Sequence, residues 1–511
     1  MAPVRPAARM QPVEVLEEGL PDTGARRRHV PPADEEVPPG AAPAASDGAG
    51  PGDGPPAPDV RGLLRRWWPV PVALVVAVTA VGVLGVQRDR ERAERLAGVP
   101  GVVRPLDGPP EVLWSTPAGP GDQLLVARGL LVVVQPGTSA WHATAHDART
   151  GEQRWSADVA PAPGAAMESG PVRCPDPGTD VGAVVVCLAA EPDPVYADDP
   201  DGTVTSGDVG AFSEVDVALP ETRVGALSAR DGRTLGTWTL LGELVAAGRV
   251  RDDVVVVTVD DDEHVVVARR DGVTGEVRWG WRSPVPIRGT SVRALTSVEV
   301  TRDLVVVAGS ATRVLAVADG AELTTAPDFS FLRVEPLRAG FGTWSPAQGG
   351  AVHDATGAVT ATVPGLPAPL AVDDGSEPRL VVLDAGNAVV AHDTATGEER
   401  WRATTALNPA LVVDHRLVVV GASRYGVVDA RTGAEVWDEE LGAPLPWQPV
   451  TDGALVLGPG LAPDGATHLV GRGVPDGVRY WSVPVPPDTR RVRAVAGHLV
   501  LTTAEEHRAL G

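Results

Sequence analysis

The peptide AHDTATGEERW, at Ala391–Trp401, contains the clearest structural signal in this chain. Alternating apolar residues run into a Thr-Gly turn, and a short strand that ends in Trp follows the turn. Close copies occur at Ala145–Trp155, Arg269–Trp279 and Val427–Trp437. Because a unit that recurs through a chain is the sign of a repeat architecture, the repeat is interpreted before any single residue in it.

Weaker copies extend the series to eight units. They are Ser228–Trp238, Ala316–Thr325, Val352–Val363 and Val474–Trp481. The turn glycines recur about every 40 residues, except for a first step of about twice that length. This period, with about four strands in each unit, predicts a β-propeller. The turn glycines are Gly151, Gly232, Gly275, Gly320, Gly357, Gly397, Gly433 and Gly477.

Short valine-rich runs bounded by Gly, Asp or Pro predict strands between the turns. No segment after residue 100 is periodic enough for a long helix. The domain is therefore predicted to be all-β. The runs are Leu130–Val134, Ala183–Cys187, Asp253–Val259, Leu304–Gly309, Arg379–Asp384, Arg416–Gly421, Ala454–Gly458 and His498–Thr503.

The two ends of the repeat array predict how the ring closes. Glu111–Thr116 has the pattern of an isolated last strand with its Trp114, and Val492–Gly511 that of a unit lacking its last strand. Pairing them would complete one sheet and remove two free edges. Counted in this way, the chain holds nine units, and the insertion in the first long step is Glu191–Arg223.

The motif D-x-x-T-G-x-x-x-W resembles the PQQ-like (quinoprotein-type) β-propeller repeat over about residues 111–511. The resemblance implies four-stranded blades and favours eight of them, so that one of the nine counted units is expected to be irregular. With a predicted membrane anchor before the repeats, the chain is similar to membrane-anchored PQQ-like repeat proteins of high-GC Gram-positive bacteria. The abundance of Ala, Gly, Pro, Val and Arg agrees with such a source.

Three segments precede the predicted propeller. Residues 1–66 are rich in Pro, Gly and acidic residues without sustained periodicity, and are predicted to be disordered. Residues 67–86, WWPVPVALVVAVTAVGVLGV, are apolar and uncharged. As a helix they would span about 30 Å, so a transmembrane helix is predicted. Residues 87–110 are predicted to be a charged stem and a linker.

The only two cysteines, Cys174 and Cys187, lie on either side of a Pro/Gly-rich turn. If they lie on facing strands, they can form a disulfide, which would favour an oxidising compartment. The alternative is a pair of free thiols in the cytoplasm. Arginines on the two flanks of the apolar segment nearly balance, so the positive-inside rule does not decide the orientation. Because the predicted disulfide favours an oxidising compartment for the propeller, we expect a cytoplasmic tail and an extracytoplasmic propeller.

The formal net charge is −23, and every basic residue is an arginine. An acidic domain of this kind argues against nucleic acid and anionic membrane surfaces as partners. The acidic run Asp260–Glu263 is predicted to be a solvated hairpin tip.

No catalytic, cofactor-binding or metal site is predicted. His146, His353 and His392 directly precede a repeat Asp in different units, so they are interpreted as structural. Neither CxxC nor HExxH occurs. Quinone-dependent dehydrogenases of the resembling family use adjacent cysteines and calcium, and this chain has no adjacent cysteines.

The sequence therefore favours a non-enzymatic, membrane-anchored propeller that binds a protein or a cell-envelope ligand. The insertion Glu191–Arg223 and the mouth of the central channel are the expected partner sites. A PQQ-dependent dehydrogenase-like enzyme, an envelope-assembly scaffold and a sensor domain remain as alternatives, since fold alone does not fix function.

Overall fold

A computed structural model describes Leu96, Val99 and most of the chain from Gly101 to the C-terminus. The predicted tail, 1–66, and the predicted transmembrane segment, 67–86, lie outside the described residues. Within the described part of the chain, no helix is both long and apolar enough to cross a membrane. The described ranges after residue 100 are 101–106, 108–137, 140–161, 172–176, 182–190, 221–286, 297–308, 312–325 and 332–511.

The described residues form a β-propeller of nine sheets, or blades. Seven sheets have four strands, one has three and one has five. The predicted all-β propeller of four-stranded blades is therefore confirmed. The direct count of nine units is also confirmed, whereas the expectation of eight blades is wrong, because the irregular unit still forms a blade of its own.

The strands follow one another blade by blade. Blades 1 to 3 contain β2 (Gln123–Ala127), β3 (Leu130–Pro136), β4 (Ala140–Asp147) and β5 (Gln153–Pro161); β6 (Val172–Arg173), β7 (Val184–Ala190), β8 (Glu221–Ser228) and β9 (Thr234–Leu241); and β10 (Glu243–Val250), β11 (Asp253–Val259), β12 (Val265–Asp271) and β13 (Val277–Arg282). Blades 4 to 6 contain β14 (Ser297–Val300), β15 (Leu304–Ala308), β16 (Arg313–Ala316) and β17 (Glu322–Thr325); β18 (Arg333–Leu337), β19 (Gly340–Ser345), β20 (Gly349–His353) and β21 (Val359–Val363); and β23 (Leu380–Asp384), β24 (Ala388–Asp393) and β25 (Glu399–Thr404). Blades 7 and 8 contain β26 (Asn408–Val413), β27 (Arg416–Val420), β28 (Arg424–Asp429) and β29 (Glu435–Glu440); and β30 (Val450–Thr451), β31 (Leu455–Leu461), β32 (Thr467–Gly473) and β33 (Arg479–Pro484). Blade 9 contains β34 (Arg491–Val495), β35 (His498–Thr502), β36 (Glu506–Leu510) and β1 (Val112–Pro117), and β22 (Val372–Asp373) lies between blades 5 and 6 in the chain.

The chain closes the ring by pairing its two ends. Strand β1 pairs antiparallel with β36, with Thr116 opposite His507. The N-terminal strand therefore supplies the fourth strand of blade 9, as predicted, and neither β1 nor β36 is left as an isolated edge.

All eight predicted valine-rich runs form the second strand of a blade. These strands are buried on both faces, since each sheet packs between two neighbours. In β11, for example, every residue after Asp253 is buried. The ninth second strand, β19, has the sequence GFGTWS and lacks the valine run. Its Phe341 nevertheless is fully buried between blades 4 and 5.

First strands lie toward the axis of the ring and fourth strands toward its rim. The first strands of neighbouring blades approach one another, as β10 does β14 and β30 does β34. Fourth strands such as β13 alternate between exposed and half-buried residues. We call the face with the first-to-second and third-to-fourth connections the hairpin face, and the opposite face the loop face.

The repeat motif forms the third-to-fourth hairpin. In blade 1, Asp147 Oδ1 accepts hydrogen bonds from the backbone N–H groups of Arg149 and Thr150, both 3.1 Å long. Gly151 has a φ of 72°, and its N–H donates to Asp147 O. A hydrogen bond from Arg154 and the two backbone donors lower the pKa of Asp147 to about 2. Asp147 and Gly151 therefore both stabilise the hairpin, Asp147 as a side-chain acceptor and Gly151 through its positive φ.

The repeat Trp joins each blade to the next. The indole of Trp401, at the rim of blade 6, lies over Gly433 in the hairpin of blade 7. Its Nε1–H donates to Ala430 O in the same hairpin at 2.8 Å. Six tryptophans make this contact, which we call the tryptophan latch. The pairs of Trp and turn glycine are Trp114–Gly151, Trp155–Gly232, Trp238–Gly275, Trp279–Gly320, Trp401–Gly433 and Trp437–Gly477.

The other three of the nine blade interfaces lack the latch. Between blades 4 and 5 and between blades 5 and 6, the backbone of the preceding fourth strand packs directly on the turn glycine, at Leu323 with Gly357 and Thr362 with Gly397. Between blades 8 and 9 there is no glycine hairpin to receive a Trp, because β1 and β36 come from opposite ends of the chain.

The latch predicts that Gly433→Ala destabilises the propeller more than Gly386→Ala. Both glycines have positive φ, 71° and 80°, so alanine strains the backbone by about 1–2 kcal/mol at either position. At Gly433 the new Cβ would also lie 2.5 Å from Cε3 of Trp401, whereas nothing lies within 4 Å of a Cβ at Gly386. We expect a further loss of about 1–3 kcal/mol for Gly433→Ala, measured by urea denaturation. Equal losses for the two variants would contradict a role for the latch in stability.

Candidate functional site

The inner edge of blades 7 to 9 is covered by the chain itself. Val102 pairs in parallel with Thr451 on β30, the first strand of blade 8. Val103 N–H donates to Thr451 O at 2.8 Å, and Arg104 N–H donates to Gly497 O in blade 9 at 2.7 Å. Because β31 occupies the other side of β30, this added segment lies on the axial side of the blade. We call the described residues Leu96, Val99 and 101–106 the docked stem.

Apolar burial holds the docked stem in place. Val103 is 2% exposed and packs in the core shared by blades 8 and 9, with Trp447 and Leu455. Leu96 and Val102 are buried in a second core with Leu411 and Val418 of blade 7 and other residues. Part of the segment predicted as a linker is therefore an internal element of the propeller.

Asp452 fixes the end of the docked stem. Its buried Oδ1 accepts hydrogen bonds from the N–H groups of Ala454 and Leu455, at 2.8 and 2.7 Å. Its Oδ2 accepts one from Leu106 N–H at 3.1 Å. A buried carboxylate requires such donors, so the loop after β30 and the stem are mutually dependent.

A second internal segment covers blade 7. Pro367 forms a bridge with Leu383 where a regular first strand of blade 6 would lie. The chain then crosses to blade 7, where β22 pairs in parallel with β26 at Val372 and Leu411. This crossing explains why blade 6 has three strands and blade 7 has five. A Cβ at Gly101, φ 80°, would lie 3.0 Å from Val372, so the two internal segments contact each other.

An ion-pair cluster around one buried glutamate follows the second segment on the hairpin face. The Glu377 side chain is 8% exposed and accepts hydrogen bonds from Arg431 Nε at 2.9 Å and His415 Nδ1 at 2.8 Å. Arg400 Nη2 lies 3.5 Å from its other oxygen. The cluster links the segment to blades 6 and 7, and we assign it a structural role.

Two glutamates lie on the neighbouring first strands of blades 4 and 5. Glu335 on β18 is half-buried, and Glu299 lies on the neighbouring first strand β14. Burial, with repulsion from Glu299, raises the pKa of Glu335 to about 7, although Arg333 opposes the shift. This interface lacks a tryptophan latch, and it contains a carboxyl group whose charge changes near neutral pH.

The predicted disulfide between Cys174 and Cys187 is confirmed. Cys187 lies on β7, and Cys174 directly follows β6, an inner strand of only two residues. Both sulfurs are buried in the core between blades 1 and 2. Gln123 of blade 1 adds a second attachment, since its Oε1 accepts a hydrogen bond from Cys174 N–H at 2.8 Å. The disulfide therefore holds a short inner strand in its blade.

The structure places the other singled-out residues in structural positions. The Nδ1 atoms of His146, His353 and His392 lie 2.9–3.1 Å from the carbonyl oxygens of their own turn glycines. Asp260, Asp261 and Asp262 are close enough together to share a cation, but Arg282 pairs with the first and third of them at an exposed hairpin tip. Most of the expected partner loop, 191–220, lies outside the described residues, and Glu221–Arg223 begin β8.

Sequence reasoning missed both internal segments. One signal for the first was present in the sequence LAGVPGVVR, 96–104, where apolar residues recur in what otherwise resembles a linker. No comparable signal marks the crossing at β22, because a two-residue parallel pairing leaves no periodicity.

A family model and several solved structures are similar to this chain. A family model described as outer membrane protein assembly factor BamB matches residues 346–506. BamB from Moraxella catarrhalis is 14% identical to this chain. The match covers 79% of this chain and 99% of the BamB chain, with a TM-score of 0.40. The computationally designed Ika8 protein is 16% identical, covering 76% and 100%, with a TM-score of 0.34.

A quinohemoprotein alcohol dehydrogenase, ADHIIG from Pseudomonas putida HK5, is 12% identical, covering 79% of this chain and 76% of its own, with a TM-score of 0.31. No curated protein matches the chain. The likenesses to the three solved structures carry no functional argument.

The protein is a β-propeller. Residues 346–506 match a PQQ-type family model, so the resemblance that the repeat motif predicts is confirmed for that part of the ring.

The docked stem predicts that Val103→Asp unfolds or strongly destabilises the propeller. A carboxylate at this buried position has no partner, and we expect a loss of about 3 kcal/mol or more in the free energy of unfolding. Val112→Asp is the matched control, because Val112 is 54% exposed, and it should change stability by about 0.5 kcal/mol or less. Similar denaturation midpoints for the two variants would show that the stem is not part of the core.

Glu335 predicts a pH-dependent stability. Because its pKa is raised in the folded protein, the folded chain keeps a proton that the unfolded chain releases, so stability falls as the pH rises from about 4.5 to about 7. Glu335→Gln, which stays neutral, should therefore raise the denaturation midpoint at pH 8 more than at pH 5. The exposed Glu398→Gln is the control. A gain for Glu335→Gln that is equal at both pH values would argue against ionisation as its cause.

Proposed function

We propose that the protein is a non-enzymatic, membrane-anchored propeller outside the cytoplasm, where it binds a protein or a cell-envelope ligand. The observation that carries this proposal is the covered inner edge of blades 7 to 9. A ring that fills part of its axis with its own backbone and apolar side chains leaves its loop face and outer edges as binding surfaces.

The position of the docked stem favours the loop face. Leu96, the first residue that the structure describes, packs on Gly453 in a first-to-second connection, which belongs to the hairpin face. The described end of the docked stem therefore lies against the hairpin face and leaves the loop face uncovered. Loops carried on a rigid scaffold are common binding surfaces, and β7 and β8, which flank the long insertion, both meet the loop face.

A PQQ-dependent dehydrogenase-like enzyme is less well supported. The resemblance implies an adjacent cysteine pair in such enzymes, whereas Cys174 and Cys187 are joined across two strands of blade 2. An envelope-assembly scaffold is a second candidate, favoured by the family model that matches residues 346–506. A sensor domain fits the same anchored arrangement.

Site-specific photo-crosslinking in intact cells tests the proposal. A photoreactive side chain at Asn387, exposed on the loop face of blade 6, should capture an envelope component. The same group at Ala395, exposed on the hairpin face of that blade, is the control and should capture little. No capture at either position, together with binding of added pyrroloquinoline quinone and alcohol oxidation by the purified protein, would overturn the proposal in favour of an enzyme.

Trapping of thiols in intact cells tests the compartment. Since disulfides persist in oxidising compartments, Cys174 and Cys187 should resist alkylation until a reductant is added. A C-terminal reporter should be active outside the cytoplasm. Free thiols, with a reporter active only in the cytoplasm, would contradict the proposed location.

A further inference from the structure

A cavity of about 540 Å³ lies on the outer flank of blade 8. It is bounded on one side by β33, the outermost strand, and on the other by the end of β31 and the loop after it. Its lining includes Leu461, His468, Arg479, Tyr480, Trp481 and Ser482.

The cavity coincides with a departure from the tryptophan latch. Trp481 occupies the repeat position of Trp401 and Trp437, but blade 9 offers no glycine hairpin to receive it. Its indole instead packs over Gly471, its partner on β32, where any Cβ would overlap the ring. The other repeat tryptophans lie opposite residues with side chains, such as Ala391 opposite Trp401.

The indole N–H of Trp481 is left without a hydrogen-bond partner in the described structure, although the residue is only 9% exposed. Each latch tryptophan, in contrast, donates to a carbonyl of the next blade. A buried donor without an acceptor is unfavourable, and in blade 8 this unused polar group belongs to a residue that lines the cavity.

Apolar side chains are exposed around the same cavity. Tyr480 is 63% exposed, Val478 is 53% exposed and Leu461 is 42% exposed. Tyr480 is the one aromatic residue among the large apolar side chains that are exposed in the described structure. Exposed aromatic groups beside a cavity are typical of binding surfaces.

The charge of the cavity is opposite to that of the protein. Arg479 and His468 line it, and none of its described lining residues has a carboxylate. His468 Nδ1 lies 2.9 Å from Ser482 Oγ, which orients the ring. In a chain with a net charge of −23, a lining of this kind favours an anionic group on the ligand.

The shape of the surface favours an extended ligand. Strand β33 is the edge of its sheet, so alternate backbone N–H and C=O groups point away from β32. A peptide strand that pairs with such an edge gains backbone hydrogen bonds and places alternate side chains in adjoining pockets.

We propose that the outer edge of blade 8 binds an extended peptide segment of a partner protein, with an acidic side chain at Arg479 and an apolar side chain against Tyr480. This proposal rests on the proposed function, because it identifies one surface through which the propeller binds a protein. The peptide pairs with β33 and places its acidic residue in the cavity.

Selection of peptides on the purified full chain tests the proposal. Random dodecapeptides displayed on phage are selected on the immobilised protein, and the recovered sequences are synthesised with a fluorescent label for anisotropy titrations. We expect a Glu or Asp between apolar residues. Tyr480→Ala should weaken binding about tenfold or more, as for an exposed aromatic anchor. Leu241→Ala is the matched control, because Leu241 is also 63% exposed on an outer strand, and it should leave binding unchanged.

Charge reversal distinguishes this peptide site from general adhesion. Arg479→Glu should weaken binding of the acidic peptide about tenfold. A peptide in which the acidic residue is replaced by Lys should bind the Arg479→Glu variant with restored affinity. Circular dichroism should show native folding of the variants, since both side chains are exposed.

Recovery of no peptide, affinities that Arg479→Glu and Tyr480→Ala leave unchanged, or Tyr480-dependent binding of peptidoglycan oligosaccharides instead of peptides would overturn the proposal. If crosslinking from the loop face still captures an envelope protein, only the peptide site fails. If neither experiment finds a partner, the proposed function fails with it.

Discussion

The contact between a tryptophan of one blade and the turn glycine of the next is the interaction on which the ring depends. It requires three features of the repeat at once. The glycine must have positive φ to form the hairpin, it must lack a Cβ so that the indole can lie over it, and a carbonyl of the same hairpin must accept the indole N–H. Because one hairpin provides all three, a short motif is sufficient to join neighbouring sheets.

The three interfaces without this contact show what replaces it. Between blades 4 and 5 the buried ring of Phe341 fills the space, stacked at 4.5 Å on His353, which itself contacts its own turn glycine. On the neighbouring inner strands, repulsion from Glu299 contributes to the raised pKa of Glu335. Apolar packing at this interface therefore coexists with a partly buried carboxyl group that resists ionisation. Blade 6, next along the ring, is the blade whose inner strand is irregular.

Much of the fold could be predicted because its strongest constraints are local. The turn glycines, the tryptophans and the valine runs each depend on geometry within one or two blades, and their spacing is visible in the sequence. Blade 5 was harder to recognise as a strand pattern, since GFGTWS lacks valine. The family preference for eight blades was misleading because it discounted a unit that has an irregular inner strand but keeps its other three strands.

The candidate sites were less predictable, for a physical reason. The docked stem pairs with Thr451, about 350 residues away in sequence, through one parallel bridge and a few apolar side chains. Trp481 has the same repeat position as its sister tryptophans, and only the absence of a hairpin in the closing blade changes its role. Such features follow from ring closure and not from local pattern, so the sequence predicts where the blades lie but not which blade differs.

Ring closure and the docked stem together determine which surfaces are free. The same N-terminal segment that supplies β1 first runs along the inner edge of blades 8 and 9, so the axis and the closing blade are occupied by consecutive parts of the chain. Closure by β1 also removes the hairpin that would otherwise receive Trp481. The N-terminal segment therefore has two effects. Its docked stem covers part of the axis, and its strand β1 closes blade 9 without a hairpin, so the outer edge of blade 8 lacks a latch. Variation among otherwise equivalent blades arises at this junction, which is where a repeat protein can acquire a specific site without disturbing the remaining repeats.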